Sequence, residues 1–272
     1  MQRVYCNQHM IEPLKKAAHE AGKILLSYFK KKLVITHKTT HHNIVTEADI
    51  AAQKVVIDSL TSSLVKKGIA QSDIGFIGEE NVFKKGKHLF VIDPLDGTNN
   101  FASRIPYFGV SIGYFHDGVL FASVIYHPTE NVYYCAAKGK GAFGEKGKMS
   151  TPLHLIQKPL HELLLTTHIS SDENTREELF DVIKHLFEKI RGVRIYGSIV
   201  LDCGRLAENQ SGVILSGRAY IWDIAAGKLL IEESGGKMTD WKGKELVFNL
   251  DDPHHGYQLI ASHPKIIEAI IT

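Results

Sequence analysis

Apolar residues spaced three and four positions apart predict an amphipathic helix near the start of the chain. The residues that would form its buried face are Ile11, Leu14, Ala17, Ala18, Ala21, Leu25, Tyr28 and Phe29. The lysines at 30–32 suit the negative end of the helix dipole. A second helix is predicted after Thr46, because Thr46-Glu47-Ala48-Asp49 resembles a capping box in which Asp replaces Glu.

The spacing of apolar residues then shortens, which predicts a series of strands. The predicted strands span residues 74–77, 88–92, 107–115, 119–126 and 131–137. The last three are separated only by turn sequences at 116–118 and 127–130. Strands joined by such short turns pair antiparallel, so the first half is predicted to contain an antiparallel sheet.

From about residue 151 the predicted strands and helices alternate. The strands are at 163–166, 193–196, 219–222 and 257–261, and the helices are at 173–190, 198–208, from 223 to 233 and at 264–271. Gly235 and Gly236 suit the end of the third helix. Alternation of this kind is typical of a βαβ layer with parallel strands. We therefore predict an α/β protein with an α+β half at residues 1–150 and an α/β half at 151–272, meeting near 146–152.

Composition narrows the class of protein. The chain has 272 residues, 44% of them apolar, which allows a substantial core in one large domain or two joined halves. Its 32 basic and 30 acidic residues give a net charge of +2, which argues against a disordered polyelectrolyte and against a nucleic-acid-binding surface. The longest unbroken apolar run covers only 132–137, far short of the roughly 20 residues of a membrane-spanning helix.

The start of the chain and its cysteines bear on the cellular compartment in which the protein is expected. The first residues contain no apolar segment of the signal-peptide kind. Cys6, Cys135 and Cys203 are odd in number and far apart, which is typical of reduced thiols rather than of a disulfide framework or a zinc site. We therefore expect a cytoplasmic protein whose partners include neither nucleic acid nor a membrane.

The sharpest motif is the segment 91–101, Val-Ile-Asp-Pro-Leu-Asp-Gly-Thr-Asn-Asn-Phe. Asp93 and Asp96 follow an apolar strand, and their carboxylates are ligands that Mg²⁺ prefers. Backbone N–H groups at Gly97 and Thr98 could face a phosphate, and a cation must then separate the phosphate from the carboxylates. The alternative is a capped turn, because Asp, Pro and Gly are common turn residues.

Three further acidic residues, like Asp93, follow predicted apolar strands. Glu79 and Glu80 follow the predicted strand 74–77, and Asp223 follows the predicted strand 219–222. Each of them alone could be a solvated turn acid or a helix N-cap. Their shared position at the C-terminal ends of apolar strands is where α/β proteins carry their sites.

The segment Gly139-Lys140-Gly141-Ala142-Phe143-Gly144 has the spacing of a dinucleotide-binding loop. Such a loop opens a helix, whereas here turn residues follow at 145–152. We therefore predict a turn at this position rather than a nucleotide site.

Together these motifs resemble those of the inositol monophosphatase family of Mg²⁺-dependent, lithium-sensitive phosphatases. The main matches are Gly78-Glu79-Glu80, Asp93-Pro94-Leu95-Asp96-Gly97-Thr98 and Trp222-Asp223-Ile224-Ala225-Ala226-Gly227, and supporting matches are at 45–49, 138–143 and 232–236. The resemblance covers about residues 10–265. It implies a five-layer α-β-α-β-α sandwich, also found in fructose-1,6-bisphosphatases, that is usually a homodimer and carries its site between the two halves.

The resemblance also implies roles for individual residues. Two or three Mg²⁺ ions would be held by Glu79, Asp93, the Leu95 carbonyl, Asp96 and Asp223. Glu79 and Thr98 would position the attacking water, with Asp49 hydrogen-bonded to Thr98. The phosphate would lie between Asp96, Gly97 and Thr98, with Lys38 nearby. We add Gly197, Arg218 and Asp223 as further candidate substrate-binding residues.

The leaving-group side departs from the family pattern. Inositol-specific members carry an acidic residue a few positions before the Trp-Asp pair, whereas residues 216–221 contain none and include Arg218. Small polyol or sugar monophosphates are therefore the first substrate hypothesis. The alternatives are NADP(H), 3′-phosphoadenosine 5′-phosphate, fructose 1,6-bisphosphate or histidinol phosphate. A regulatory binding protein on the same fold is a further alternative, which loss of a metal ligand would favour, and none is lost.

Overall fold

The computed structural model describes residues 2–31, 35–37, 44–169 and 172–271, with side chains described for 10–31, 46–169 and 172–271. The helices are α1 (Gln2–Phe29), α2 (Glu47–Lys66), α3 (Thr98–Ala102), α4 (Glu173–Phe187), α5 (Ile199–Ala207), α6 (Ile221–Glu233) and α7 (Pro264–Ile271). The strands are β1 (Ile35–His37), β2 (Ile44–Thr46), β3 (Ile74–Gly78), β4 (Val82–Lys84), β5 (His88–Asp96), β6 (Gly109–His116), β7 (Val119–His127), β8 (Val132–Ala137), β9 (Gly141–Lys146), β10 (Met149–Leu153), β11 (Leu164–His168), β12 (Gly192–Arg194), β13 (Val213–Ala219), β14 (Lys237–Thr239) and β15 (Tyr257–Ser262).

The first sheet has eight strands in the order β10-β9-β8-β7-β6-β5-β3-β4. Its pairs are antiparallel except for the parallel pair of β3 and β5. The predicted antiparallel sheet is therefore confirmed. The sheet runs on through the β9–β10 hairpin to Leu153, slightly past the boundary that we drew at residue 150.

The second sheet has five strands in the order β12-β11-β13-β15-β14. β11 is parallel to both β12 and β13, as predicted, but β15 is antiparallel to both of its neighbours. The prediction of a purely parallel layer is wrong at β15. No helix separates β14 from β15. When two neighbouring strands are joined without a crossover helix, the chain reverses direction and the strands pair antiparallel.

The hydrophobic clusters divide the molecule into five layers. On one face of the first sheet, α1 and α2 bury Leu14 and Leu60 in a cluster that includes Phe90 of β5. On the other face, α5 and α6 share a cluster with Val91 of β5 and with Ile214 of the second sheet. α4 and α7 cover the outer face of the second sheet. The predicted α-β-α-β-α sandwich is confirmed.

One element boundary was misplaced by the sequence analysis. Of the strand predicted at 219–222, only Ala219 lies in a strand, as the last residue of β13, whereas Trp222 lies in α6 together with Asp223. A short apolar run does not by itself distinguish a buried strand from a buried helix turn. Asp223 is therefore in the first turn of a helix and not at the tip of a strand.

Two further findings bear on the sequence predictions. None of the helices in the described ranges is both long and apolar enough to cross a membrane. Cys135 and Cys203 are buried free thiols, as predicted, and the side chain of Cys6 lies outside the described residues.

Candidate metal and phosphate site

The end of β5 carries two aspartates on a bulge. β5 is buried on both faces, which explains its unbroken apolar sequence before Asp93. Asp93 pairs with Ser111 of β6 and Asp96 with Gly109, so the register shifts between them. A bulge of this kind redirects side chains at the end of a strand. Asp93 is 1% exposed and accepts a hydrogen bond from the Leu95 amide at 3.0 Å.

Asp96 connects the first sheet to the middle layer. Its Oδ2 accepts hydrogen bonds from the Ser198 hydroxyl at 2.6 Å and from the Val200 amide at 2.7 Å. Ser198 is also the N-cap of α5. The sequence analysis missed this connection, although a serine at the start of the helix predicted at 198–208 was a signal for a cap.

Gly97 adopts a conformation that favours glycine. Its φ is +93°, and a Cβ there would lie 3.0 Å from the Tyr107 carbonyl oxygen and 3.2 Å from that of Gly197. α3 begins at the next residue, Thr98. The backbone N–H groups at the start of such a turn have no partner within the helix and can face an anion.

Asp49 and Thr98 are hydrogen-bonded, as the family resemblance implies. The fully buried Asp49 carboxylate accepts from the Thr98 hydroxyl at 3.2 Å, and also from the backbone amide and hydroxyl of Thr46 at 2.8 and 2.6 Å. The Thr98 hydroxyl also lies 3.1 Å from the Leu95 carbonyl oxygen. Burial raises the pKa of Asp49 to about 7, although the hydrogen bonds from Thr46 act in the opposite direction. The predicted capping box at the start of α2 is confirmed.

Asp223 belongs to a group of four acidic residues, together with Glu79, Asp93 and Asp96. Its Oδ2 accepts from the Tyr220 amide at 2.6 Å. Burial raises the pKa of Asp93 well above its usual value, and the charges of Glu79, Asp96 and Asp223 raise it further. Burial, followed by the charges of Asp96 and Glu79, likewise raises the pKa of Asp223. These carboxylates are therefore close enough to repel one another.

Glu79 and Glu80 lie next to this group, just beyond β3. The Glu79 amide donates to the Ile92 carbonyl of the parallel strand β5 at 3.3 Å, so the ends of the two strands meet. The backbone of Glu80 is held by the side chain of Gln53 in α2, which both accepts from its amide and donates to its carbonyl.

The donor set fits a hard divalent cation. Within the described ranges, neither Lys nor Arg forms a salt bridge with Asp93, Asp96 or Asp223. Buried carboxylates that repel one another favour a bound cation, and oxygen ligands suit Mg²⁺. In the same part of the chain, no group of three or more His, Cys, Asp or Glu side chains lies close enough together to hold a metal ion.

Of the three remaining residues that were predicted to bind the substrate, the structure describes two, Gly197 and Arg218. Gly197 has a φ of +82° and packs against the side chain of Asn100, close to Gly97. Arg218 is exposed, with its guanidinium 5.5 Å from the centre of the Tyr220 ring. Lys38 lies outside the described residues.

In the glycine-rich segment at 139–144, a turn ends at Lys140 and the strand β9 begins at Gly141. A dinucleotide site requires a helix at this place, so the prediction that the segment is not such a site agrees with the structure. The amides of Gly139, Lys140 and Gly141 donate to the carboxylate of Glu233 at 2.7, 3.1 and 2.8 Å. The anion-binding capacity of this loop is thus used within the fold.

A cavity of about 580 Å³ lies elsewhere, lined by residues that include Tyr134, Met149 and Glu208. None of the clustered carboxylates lines it. The chemistry of the donor set, and not the size of a cavity, therefore identifies the candidate site.

Comparison with known proteins agrees with this description. The chain matches the model of the inositol monophosphatase family over residues 7–271. It is 30% identical over 232 residues to the fructose-1,6-bisphosphatase/inositol-1-monophosphatase of Thermotoga maritima, covering 85% of this chain and 84% of the relative. It is 31% identical over 260 residues to Nus factor SuhB of Xylella fastidiosa, covering 94% and 90%. The crystal structure of extragenic suppressor protein SuhB from Bartonella henselae aligns with a TM-score of 0.85 at 26% identity, covering 97% of each chain.

Proposed function

This chain belongs to the inositol monophosphatase family, and on that premise we propose that it is a Mg²⁺-dependent phosphomonoesterase acting on small polyol or sugar phosphates. The observation that carries the proposal is the group of buried carboxylates whose charges raise the pKa values of Asp93 and Asp223. Membership of the family supports phosphatase activity in general, whereas Mg²⁺ and the class of substrate are part of our proposal. We also propose that the protein is a homodimer, as the resemblance implies, and that it is cytoplasmic, as expected from its cysteines.

The proposed metal ligands are Glu79, Asp93, the Leu95 carbonyl, Asp96 and Asp223. A divalent cation bound there would lower the pKa of a water molecule and offset the negative charge of the phosphate. Asp96 is held in place by α5, and Asp223 by its contact with the Tyr220 amide. Both carboxylates are thus oriented before any ligand arrives, which reduces the cost of binding.

The chain's own residues would orient the reactants. With Asp49 and the Leu95 carbonyl as hydrogen-bond acceptors, the Thr98 hydroxyl is fixed, and its oxygen can accept a hydrogen bond from the attacking water. The Glu79 carboxylate is the proposed acceptor of the proton that this water loses. The N–H groups of Gly97 and Thr98 would donate to the phosphate oxygens.

A phosphate-release assay tests the proposed function. The panel contains inositol 1-phosphate, glycerol 2-phosphate and fructose 1,6-bisphosphate, each measured with Mg²⁺ and with EDTA. We expect release that depends on Mg²⁺, with kcat/KM values within about a hundredfold of each other, because residues 216–221 lack the acid that would select one polyol. A preference of more than about a thousandfold for inositol 1-phosphate would contradict this broad specificity.

Lithium should inhibit the enzyme. The family resemblance implies that Li⁺ replaces one Mg²⁺ after the substrate has bound, so we expect inhibition to be uncompetitive with respect to substrate. The measurement is the initial rate at several substrate concentrations with increasing LiCl, and KCl serves as the control salt. Full activity in tens of millimolar LiCl would contradict the prediction.

Arg218 is a proposed contact for substrates that carry a second negative group. We expect Arg218→Ala to lower kcat/KM for fructose 1,6-bisphosphate by about tenfold relative to glycerol 2-phosphate, because a charge-assisted hydrogen bond is lost. Arg191→Ala is the matched control, since this exposed arginine precedes β12 at the opposite edge of the second sheet. An unchanged kcat/KM for both substrates would indicate that Arg218 is a solvated surface residue, and an equal decrease for both would likewise contradict a contact with the second negative group.

The second candidate is a regulatory binding protein on the same fold. It is favoured by the relative from Xylella fastidiosa, which is named Nus factor SuhB. All five proposed metal-ligand positions are retained in this chain, which weighs towards catalysis. A folded protein that released no phosphate from any member of the panel would favour the regulatory role.

A further inference from the structure

Three buried polar atoms have no hydrogen-bond partner in the described part of the chain and lie beside the candidate site. They are Nε2 of His168, Oδ2 of Asp202 and Oγ of Ser216. His168 Nε2 is 3.6 Å from Asp202 Oδ2, and Ser216 is the register partner of His168 on the neighbouring strand. The first two of these atoms face each other and all three are shielded from solvent, so a ligand can reach this group only through the exposed part of the His168 ring.

The topology places these side chains in the middle layer. Leu165 of β11 and Leu215 of β13 belong to the cluster under the outer helices α4 and α7. Because side chains alternate along a strand, His168 and Ser216 face the opposite way, towards α5 and its Asp202. Both residues lie near the C-terminal ends of parallel strands, where sheets of this kind bind ligands.

His168 faces the proposed metal ligands. Burial lowers the pKa of its imidazole, but the contact with Asp202, followed by the charges of Asp202, Asp96 and Asp223, raises it overall, so the ring faces Asp202 and lies near the other two carboxylates. The His168 side chain is 22% exposed, whereas Asp202 is fully buried and its other oxygen accepts from the Tyr107 hydroxyl at 2.8 Å. A ligand would therefore meet His168 first, with Asp202 behind it.

Building on the proposed function, we infer that His168 is a specificity-determining residue that hydrogen-bonds a hydroxyl group of the polyol leaving group. Asp202 and Ser216 are positioning residues, which fix the ring from behind. The segment 216–221 lacks the acid that would otherwise bind such a hydroxyl, and this group supplies a polar partner from a different strand. A site that binds a hydroxyl favours substrates that carry one, and all three substrates of the panel do, so this role is compatible with the broad specificity expected above.

The test separates the leaving-group side from the phosphate side. KM is measured for inositol 1-phosphate, and Ki is measured for inorganic phosphate, which has no leaving group. We expect His168→Leu to raise KM by about tenfold more than Ki, and His168→Gln, which retains hydrogen-bonding groups, to raise it less. The matched control is His161→Leu, since His161 is exposed and precedes β11 at the far edge of the sheet. Thermal melting checks that each variant is folded.

Asp202→Asn tests the positioning role, because Asn keeps an acceptor for the Tyr107 hydroxyl. We expect it to raise the ratio of KM to Ki in the wild type and to have no further effect in the His168→Leu background. A purely structural role would raise both constants together in either background. Equal changes of KM and Ki in His168→Leu would mean that only water fills this group, and would overturn the inference. If the wild type released phosphate from no polyol phosphate, the proposed function itself would fail.

Discussion

Replacing Asp93 with Asn is expected to lower kcat/KM by at least about a hundredfold, or about 2.7 kcal/mol of transition-state stabilisation. Asn has nearly the same size but lacks the negative charge that the proposed cation requires. Asp223→Asn should have a comparable effect, since Asp223 lies on a different element and belongs to the same group of carboxylates. The measurement is steady-state phosphate release at saturating Mg²⁺.

The control for this experiment is Asp58→Asn, which changes an exposed carboxylate on α2 that pairs only with Lys54 among the described residues. Its activity should stay close to that of the wild type. Because Asp93 is repelled by its neighbours, Asp93→Asn should melt no lower than the wild type in EDTA. Phosphate release by Asp93→Asn within about threefold of the wild type would refute the proposed metal site.

The second large effect concerns stability and pH. In EDTA, the wild type should lose stability as pH rises from about 4 to about 7, by on the order of 4 kcal/mol through Asp49 alone. The pKa of Asp49 is about 7 in the folded protein, against a usual value of 3.8. Between these two values the folded state binds more protons than the unfolded state, so the free energy of unfolding falls as pH rises.

Comparison with Asp49→Asn isolates this contribution. The variant cannot titrate at this position, so its free energy of unfolding should fall less over the same pH range, whatever its absolute stability. Urea unfolding at several pH values, followed by circular dichroism, gives both curves. Identical pH dependence in the two proteins would mean that Asp49 is already ionised in the folded state at low pH. Titration of half-buried His88 and buried His127, whose pKa values burial lowers, is common to both proteins and cancels in the difference.

Local patterns were sufficient to predict much of the fold. β5 was predictable because a strand buried on both faces has an unbroken apolar sequence, and α2 because Thr46 and Asp49 form a capping box. The position of Asp93 followed from the end of that strand. By contrast, the boundary between β13 and α6 was misplaced, because the apolar run 219–222 fits either element.

Contacts between distant segments were beyond the reach of sequence reasoning. No local pattern indicates that Asp202 of α5 lies beside His168, or that Ser198 holds Asp96. The reversed direction of β15 likewise depends on how the chain returns to the second sheet, which periodicity does not reveal. The acidic residues at the ends of β3 and β5 and at the start of α6 were therefore predictable, while the groups that orient them were not.

The contact between Asp96 and the start of α5 has a consequence for the order of assembly. The two hydrogen bonds join residues that are 102 and 104 positions apart in the chain. Asp223 enters still later in the sequence. Contacts over such separations form slowly, because a long loop must first be closed. During synthesis, all strands of the first sheet are therefore made before Ser198 and Asp223, so the acidic group can assemble only afterwards. Ligand binding to this group then requires that the second half of the chain has docked onto the first.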